Sequence, residues 1–117
     1  MQKEEANDSV MTVSQLTGLI KTMLEGTFSS VLLKGEISNY RPNASGHMYF
    51  VLKDSESQIS AVMFRGNAAS LNFVPKDGTL VQVRGEISVY PPRGNYQIII
   101  RSMTKAGAGD IMEMTGK

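Results

Sequence analysis

The spacing of apolar residues changes along the chain from a helical period to a period of two. Near the N-terminus, apolar side chains recur on one helical face, at Leu16, Leu19, Ile20, Met23 and Leu24. Thr12 is suited to be the N-cap, with Gln15 three residues on as in a capping box, and Gly26 is suited to end a helix. The pattern predicts a helix over about 13–25 that covers an apolar surface.

From Ser29 onward, apolar and polar residues alternate, which is typical of strands with one buried face. The predicted strands cover residues 29–38, 46–53, 58–64, 79–90 and 95–104. The residues expected to face the core in the first two are Val31, Leu33, Gly35, Ile37, Met48, Phe50 and Leu52. Between the third and fourth strands, residues 65–71 are predicted to form a short helix that plugs one end of a barrel.

One motif occurs twice. Lys34–Pro42 recurs as Arg84–Pro92, with the pattern basic-Gly-Glu-Ile-Ser-x-Tyr-x-Pro. A glycine inside a strand marks a bulge or bend, so Gly35 and Gly85 predict two bent strands, each leading into a loop with Tyr, Arg and Pro. The element order describes an all-β, five-stranded OB-fold Greek-key barrel, with an N-terminal helix and a short helix between strands 3 and 4. In that fold the two loops flank one groove.

The chain of 117 residues is long enough for one domain. We expect a disordered lead over 1–10, an OB-fold nucleic-acid-binding domain over 11–106, and a flexible tail over 107–117 that begins a truncated linker. The net charge of +1 neither supports nor excludes a nucleic-acid partner, so the placement of charge must decide. The sequence has no membrane-length apolar run and no signal peptide, which predicts a bacterial-type cytoplasmic setting and no membrane partner.

Residues for catalysis are sparse. His47 is the single histidine, no cysteine is present, and no acidic residue stands at a spacing that would orient the imidazole. Asp54 and Glu56 could be a metal pair, but they occupy a predicted turn, where such residues normally shape the backbone. We therefore expect no cofactor or metal in this domain, and no enzyme activity from the chain by itself.

Basic and aromatic residues cluster where the predicted loops and the second strand meet, which suits single-stranded nucleic acid. The candidate binding residues are Tyr40, Arg41, His47, Tyr49, Lys53, Phe64, Arg65, Arg93 and Tyr96. Structural alternatives stay open at this point: Tyr40 and Tyr90 could pack across the barrel mouth, and Phe64 could be core. His47 could cap a turn, and both loop arginines could simply be solvated. Cross-strand ion pairs would explain Lys34, Glu36, Arg84 and Glu86.

Several segments in order are specific enough to identify a resemblance. They are Val13–Leu16, Lys34–Asn39, Ser45–Asp54, Val62–Gly66, Asp77–Gly78, Val83–Tyr90 and Pro92–Gln97. Together they make residues 11–109 resemble the N-terminal domain of the exodeoxyribonuclease VII large subunit. The sequence after Asp110 does not continue into the long helix expected there, which indicates a truncated chain.

The resemblance implies an OB-fold that binds single-stranded DNA and delivers it to a nuclease region outside this chain, where the DNA is degraded to oligonucleotides. It also implies assembly of the full protein with a small helical subunit. Three alternatives remain: a protein-docking OB module within the nuclease assembly, an RNA-binding domain of the anticodon-recognising kind, and a cryptic metal-dependent nuclease. The chain could also form a homodimer through a free strand edge or an exchanged element.

Overall fold

A computed structural model describes residues 10–106. Along the chain, the elements are α1 (Val13–Thr27), β1 (Val31–Pro42), β2 (Met48–Lys53), β3 (Gln58–Met63), α2 (Arg65–Ala68), β4 (Leu80–Tyr90) and β5 (Asn95–Lys105). The strands close into a barrel in the order β1-β2-β3-β5-β4, which confirms the predicted OB-fold. The predicted disordered lead, apart from its last residue Val10, lies outside the described residues. The predicted flexible tail over 107–117 lies outside them as well. Neither helix within 10–106 has the length and apolar character needed to cross a membrane.

The barrel core is built from the inward side chains of all five strands, as the alternation predicts. Its buried members include Ile37, Phe50, Leu52, Ala61, Met63, Val81, Val83, Ile98, Ile100 and Met103. Each large apolar side chain removed from water in this way contributes roughly 1.5–3 kcal/mol. At one end, Ala68 of α2 is buried in the same cluster and Leu71 packs against it, so the predicted plug is confirmed although α2 ends at Ala68.

The first strand is longer than predicted. The first predicted strand ends at residue 38, but β1 continues to Pro42 and pairs Arg41 with Tyr49. The extension contains a register shift between Ser38 and Arg41, where Asn39 adopts a positive φ of 55°. Asp77 Oδ1 accepts the Tyr40 N–H at 2.9 Å and so satisfies a donor at this irregularity. The bulge therefore depends on a residue that is distant in sequence.

The two motif glycines have different roles. Gly85 lies at a register shift between β4 and β5, and a Cβ there would be 2.3 Å from the Ile99 carbonyl oxygen, so the predicted bulge is confirmed. Gly35 lies in regular pairing just before Glu36, where β1 changes partner from β4 to β2. A Cβ at Gly35 would be 3.2 Å from the Lys53 carbonyl oxygen, so this glycine allows a close strand contact.

Helix α1 has the predicted capping box, but most of it does not cover an apolar surface as predicted. Thr12 Oγ1 accepts the Gln15 N–H and Gln15 Oε1 accepts the Thr12 N–H. Within the described range, none of the residues of α1 is fully buried, and Met23 is 70% exposed. The prediction that its apolar face covers an apolar surface is therefore wrong for most of the helix. Its C-terminal turn is attached through Glu25 Oε2, which accepts the Val89 N–H at 3.0 Å.

The cross-strand ion pairs expected for the repeated motif form at one of its four charged residues. Glu86 of β4 pairs across the strands with Arg101 of β5 at 2.8 Å, whereas Arg84 donates to the Ser30 hydroxyl. Neither Lys34 nor Glu36 forms an ion pair with a residue between 10 and 106. The Lys34 charge on β1 is therefore not paired with any described carboxylate.

Candidate nucleic-acid interface

A depression of about 400 Å³, here called the aromatic groove, crosses the outer face of β2, β3 and β5. Its lining residues are Tyr49, Ser60, Val62, Phe64, Tyr90, Asn95, Tyr96 and Gln97. Four of the described residues that line it are aromatic, and none of those described carries a charge. The arrangement offers rings for stacking, with amide and hydroxyl groups between them.

Strand register explains why these residues meet. Tyr49 of β2 lies opposite Val62 of β3, and Ser60 lies opposite Gln97 of β5. Directly paired residues project to the same face of a sheet, so the pairings form rows across three strands. Val62 is only 2% exposed because the surrounding groove residues cover it, and it forms an apolar floor.

Three predicted site residues come together at one end of the groove. The His47 ring meets the Phe64 ring edge-on, with centroids 5.3 Å apart. His47 Nδ1 accepts the Arg65 N–H at 2.9 Å, which fixes the orientation of the imidazole ring. The predicted role of His47 in capping a turn through a hydrogen bond is therefore observed, and the same bond holds Phe64 at the groove wall.

The loop between β1 and β2 is organised by Asn43, a turn-forming residue that is not among the candidate binding residues. Asn43 Oδ1 accepts the N–H groups of Ser45 and His47, each at 3.0 Å. The Asn43 N–H in turn donates to the His47 carbonyl oxygen, and Gly46 completes the turn with a φ of 92°. The sequence already indicates a turn-forming role for Asn43, and these hydrogen bonds confirm it.

Tyr40 lies apart from the groove. Its ring is 6.4 Å from that of Phe50, and the side chain packs against the buried core. Burial raises the pKa of the Tyr40 phenol. The structure thus places Tyr40 at the barrel mouth, in agreement with the packing alternative.

The remaining cationic candidates do not line the groove, but three of them adjoin residues that do. Arg41 pairs with Tyr49 in the β1–β2 ladder and is exposed, with Nε donating to the Asn39 carbonyl oxygen. Arg93 is exposed in the turn between Tyr90 and Asn95, two residues that line the groove. Arg65 directly follows Phe64, another groove residue. The three arginines therefore adjoin groove residues in the sequence or in strand pairing, while Lys53 lines a neighbouring hollow.

Other groove residues were not among the candidates selected from the sequence. They are Ser60, Val62, Tyr90, Asn95 and Gln97. The alternation of β3 did place Ser60, Val62 and Phe64 on one face, but nothing local to the strand indicated that this face would be enclosed by β5. Tyr90 was considered as a barrel-mouth residue, and its position at the groove wall follows from the turn that brings Asn95 beside it.

The acidic turn shows its structural role directly. Asp54 Oδ1 accepts the N–H groups of Glu56 and Ser57, each at 2.9 Å, and these bonds lower the pKa of the Asp54 carboxyl group. Within residues 10–106, no three His, Cys, Asp or Glu side chains are grouped so that they could hold a metal ion.

The closed barrel and its bordered groove define a nucleic-acid-binding class of domain, and the chain belongs to the OB-fold nucleic acid binding domain family, whose model matches residues 11–104. Among curated proteins, it is 49% identical to the exodeoxyribonuclease 7 large subunit of Shewanella denitrificans, over 89% of this chain and 23% of that protein. The corresponding protein of Bordetella pertussis is 45% identical, over 89% of this chain and 22% of its own length. The resemblance found in the sequence is thus confirmed, and the chain spans less than a quarter of these relatives.

Solved structures support the same fold. A chain of a replication protein A heterotrimer bound to single-stranded DNA matches with a TM-score of 0.58 and 14% identity, over 74% of this chain and 64% of that one. The asparaginyl-tRNA synthetase of Pyrococcus horikoshii matches with a TM-score of 0.57 and 16% identity, over 76% of this chain and 22% of that one. At these identities the comparison establishes the barrel and not the ligand.

Proposed function

We propose that this chain binds single-stranded DNA across the aromatic groove. The observation that supports this most directly is an uncharged aromatic centre whose lining residues have Arg41, Arg65 and Arg93 as neighbours in the sequence or in strand pairing. Bases can stack on the tyrosine rings, at about 1–3 kcal/mol per base, while the arginines contact phosphates at the border. Duplex DNA binds less well because its base faces are already stacked inside the helix.

In the longer large subunit, we propose that the domain delivers single strands to a nuclease region outside this chain. The names of the curated relatives support this, since they are exodeoxyribonuclease large subunits, and a chain of a replication protein A heterotrimer bound to single-stranded DNA shares the fold. The proposal includes assembly of the full protein with a small helical subunit, action in the cytoplasm, and no cofactor in this domain. A single groove binds weakly, and several copies in one assembly would raise the overall affinity.

Docking within the nuclease assembly is a second candidate function, favoured by a specific observation. Four apolar residues of α1 are exposed and line no hollow with the described part of the barrel, namely Val13, Leu16, Leu19 and Met23, whereas Ile20 beside them lines a hollow with Val89 and Tyr96. Contiguous exposed apolar surface is typical of interaction sites. Binding through this surface would be insensitive to salt, whereas binding through the arginine-bordered groove would weaken as salt rises.

The test is fluorescence anisotropy with one labelled single-stranded DNA, its duplex and the matching single-stranded RNA, each at two salt concentrations. We expect saturable, salt-sensitive binding of the DNA strand that exceeds binding of the duplex. Equal binding of duplex, or no single-strand binding at high micromolar protein, would overturn the proposal. A strong preference for RNA would replace DNA by RNA as the ligand. Sedimentation velocity of the same samples tests the separate proposal that the chain forms a homodimer.

A further inference from the structure

A second depression adjoins the aromatic groove at Tyr96. This seam hollow has a volume of about 240 Å³, and its walls include Leu33, Lys34, Lys53, Ile59 and Tyr96. Tyr96 is 50% exposed and lines both the hollow and the groove, so its ring stands between them. The two depressions therefore form one continuous surface with a ring at the junction.

Strand pairing explains why the hollow exists. The parallel β3–β5 ladder joins Ser60–Val62 to Gln97–Ile99 and ends there. The residues just before each paired segment, Ile59 and Tyr96, lie beyond this ladder, although Ile59 still pairs with β2. The seam between β3 and β5 is consequently open at this point, and inward-facing Leu33 is accessible from outside the barrel.

The chemistry of the hollow matches a nucleotide. Leu33 and Ile59 give it an apolar wall, which continues into a further pocket of about 280 Å³ lined almost entirely by apolar side chains. Lys34 and Lys53 also line the seam hollow, and neither forms an ion pair with any residue between 10 and 106. Asp54 also lines the hollow as a carboxylate that accepts two backbone N–H groups of its own turn, so the two lysines leave the lining with one net positive charge.

We propose that the seam hollow is a second subsite for single-stranded DNA. A strand stacked in the aromatic groove passes over Tyr96, places its next base against Leu33 and Ile59, and sets a phosphate between Lys34 and Lys53. The inference rests on the proposed function, and it adds the path that the strand follows after the groove. It also gives Lys53 a role separate from the arginines at the groove border.

The test compares wild-type protein with a Lys34→Gln/Lys53→Gln variant on oligothymidylates of increasing length. The Lys76→Gln/Lys105→Gln variant is the matched control, because it removes the same charge from exposed sites outside both depressions. We expect the first variant to bind the shortest strands as the wild type does and to lose affinity several-fold for longer strands. Two lost phosphate contacts should also reduce the slope of log affinity against log salt by about 1.4 for the longer strands.

Several results would overturn the second subsite. Affinity loss equal to that of the control, or equal for every strand length, would overturn the second subsite. A Tyr49→Ala variant that loses binding while Lys34→Gln/Lys53→Gln keeps it would overturn the subsite and leave the groove intact. Failure of the wild type to bind any strand would overturn the proposed function, and this inference with it. Thermal unfolding of both lysine variants establishes that they remain folded.

Discussion

Leu33 and Val83 lie opposite each other in the antiparallel β1–β4 ladder. They also hold the same place in the two copies of the repeated motif, immediately before its basic residue. The two copies are therefore related by an approximate two-fold axis through this residue pair. Because the strands run in opposite directions from that axis, their loops diverge toward opposite ends of the β1–β4 ladder.

Removing one ring tests the groove directly. We expect Tyr49→Ala to weaken single-stranded DNA binding by about 1–3 kcal/mol, the value of one stacked base. Tyr49→Phe keeps the ring and should bind nearly as the wild type does. Titration calorimetry or anisotropy of both variants measures the difference. Equal affinities for the alanine and phenylalanine variants would remove Tyr49 as a stacking residue.

The border arginines should act on affinity without regard to sequence. An Arg41→Gln/Arg93→Gln variant is expected to bind all single strands less tightly and to reduce the salt slope by about 1.4, since two phosphate contacts are lost. Anisotropy titrations at four or more salt concentrations give that slope for several base compositions. Unchanged binding in this variant would remove both loops from the interface.

Asn43 should matter through the loop that it organises. Asn43→Ala removes the acceptor for the Ser45 and His47 N–H groups, so we expect faster hydrogen exchange at those two amides. Weaker DNA binding should accompany it because His47 loses its fixed position. Asn72→Ala, at an exposed loop position, is the matched control. Protection factors unchanged from the wild type would show that the backbone turn holds without the side chain.

Glu25 gives the attachment of α1 a dependence on pH. Hydrogen bonds from Lys21 and Val89 lower the pKa of its carboxyl group in the folded state. A lowered folded pKa means that the stabilisation is fully present above the unfolded value and is lost as pH falls through the folded value. Wild-type protein should therefore exceed Glu25→Gln in the free energy of unfolding at pH 7, by about 1 kcal/mol.

Urea unfolding of both proteins between pH 7 and pH 3 measures this effect. The difference between the wild type and Glu25→Gln should shrink as the pH decreases. A constant difference across that range would show that the carboxylate charge is not what stabilises the attachment.

Much of the barrel was predictable because its signals are local. The alternation around Phe50 fixes which side chains face the core, and Thr12 with Gln15 specifies the start of α1 through adjacent backbone groups. The extension of β1 was not predictable, since Asp77 supports the bulge at Tyr40 from 37 residues away. The enclosed position of Val62 likewise depends on β5, a strand that joins β3 only in the folded sheet.

The amphipathic pattern of α1 predicts a buried face, but the described barrel leaves most of that face exposed. We expect Leu19→Gln and Met23→Gln to change the free energy of unfolding by less than about 0.5 kcal/mol, as exposed substitutions do. Ile37→Ala, in the buried core, should cost about 2–5 kcal/mol. Chemical denaturation of the three variants compares them. A large loss from either α1 substitution would show that the helix packs on the barrel in solution.

The hydrogen bond from the Arg65 N–H to His47 Nδ1 restrains the hairpin formed by β2 and β3. β2 and β3 are joined covalently at one end by the Asp54 turn, and at the other end this imidazole links residues that flank the two strands. The β2–β3 hairpin is thus connected at both ends, by the turn at one and by the hydrogen bond at the other. A single strand of DNA would therefore meet a β2–β3 surface of fixed width. On binding, we expect the DNA to change its shape while the protein does not.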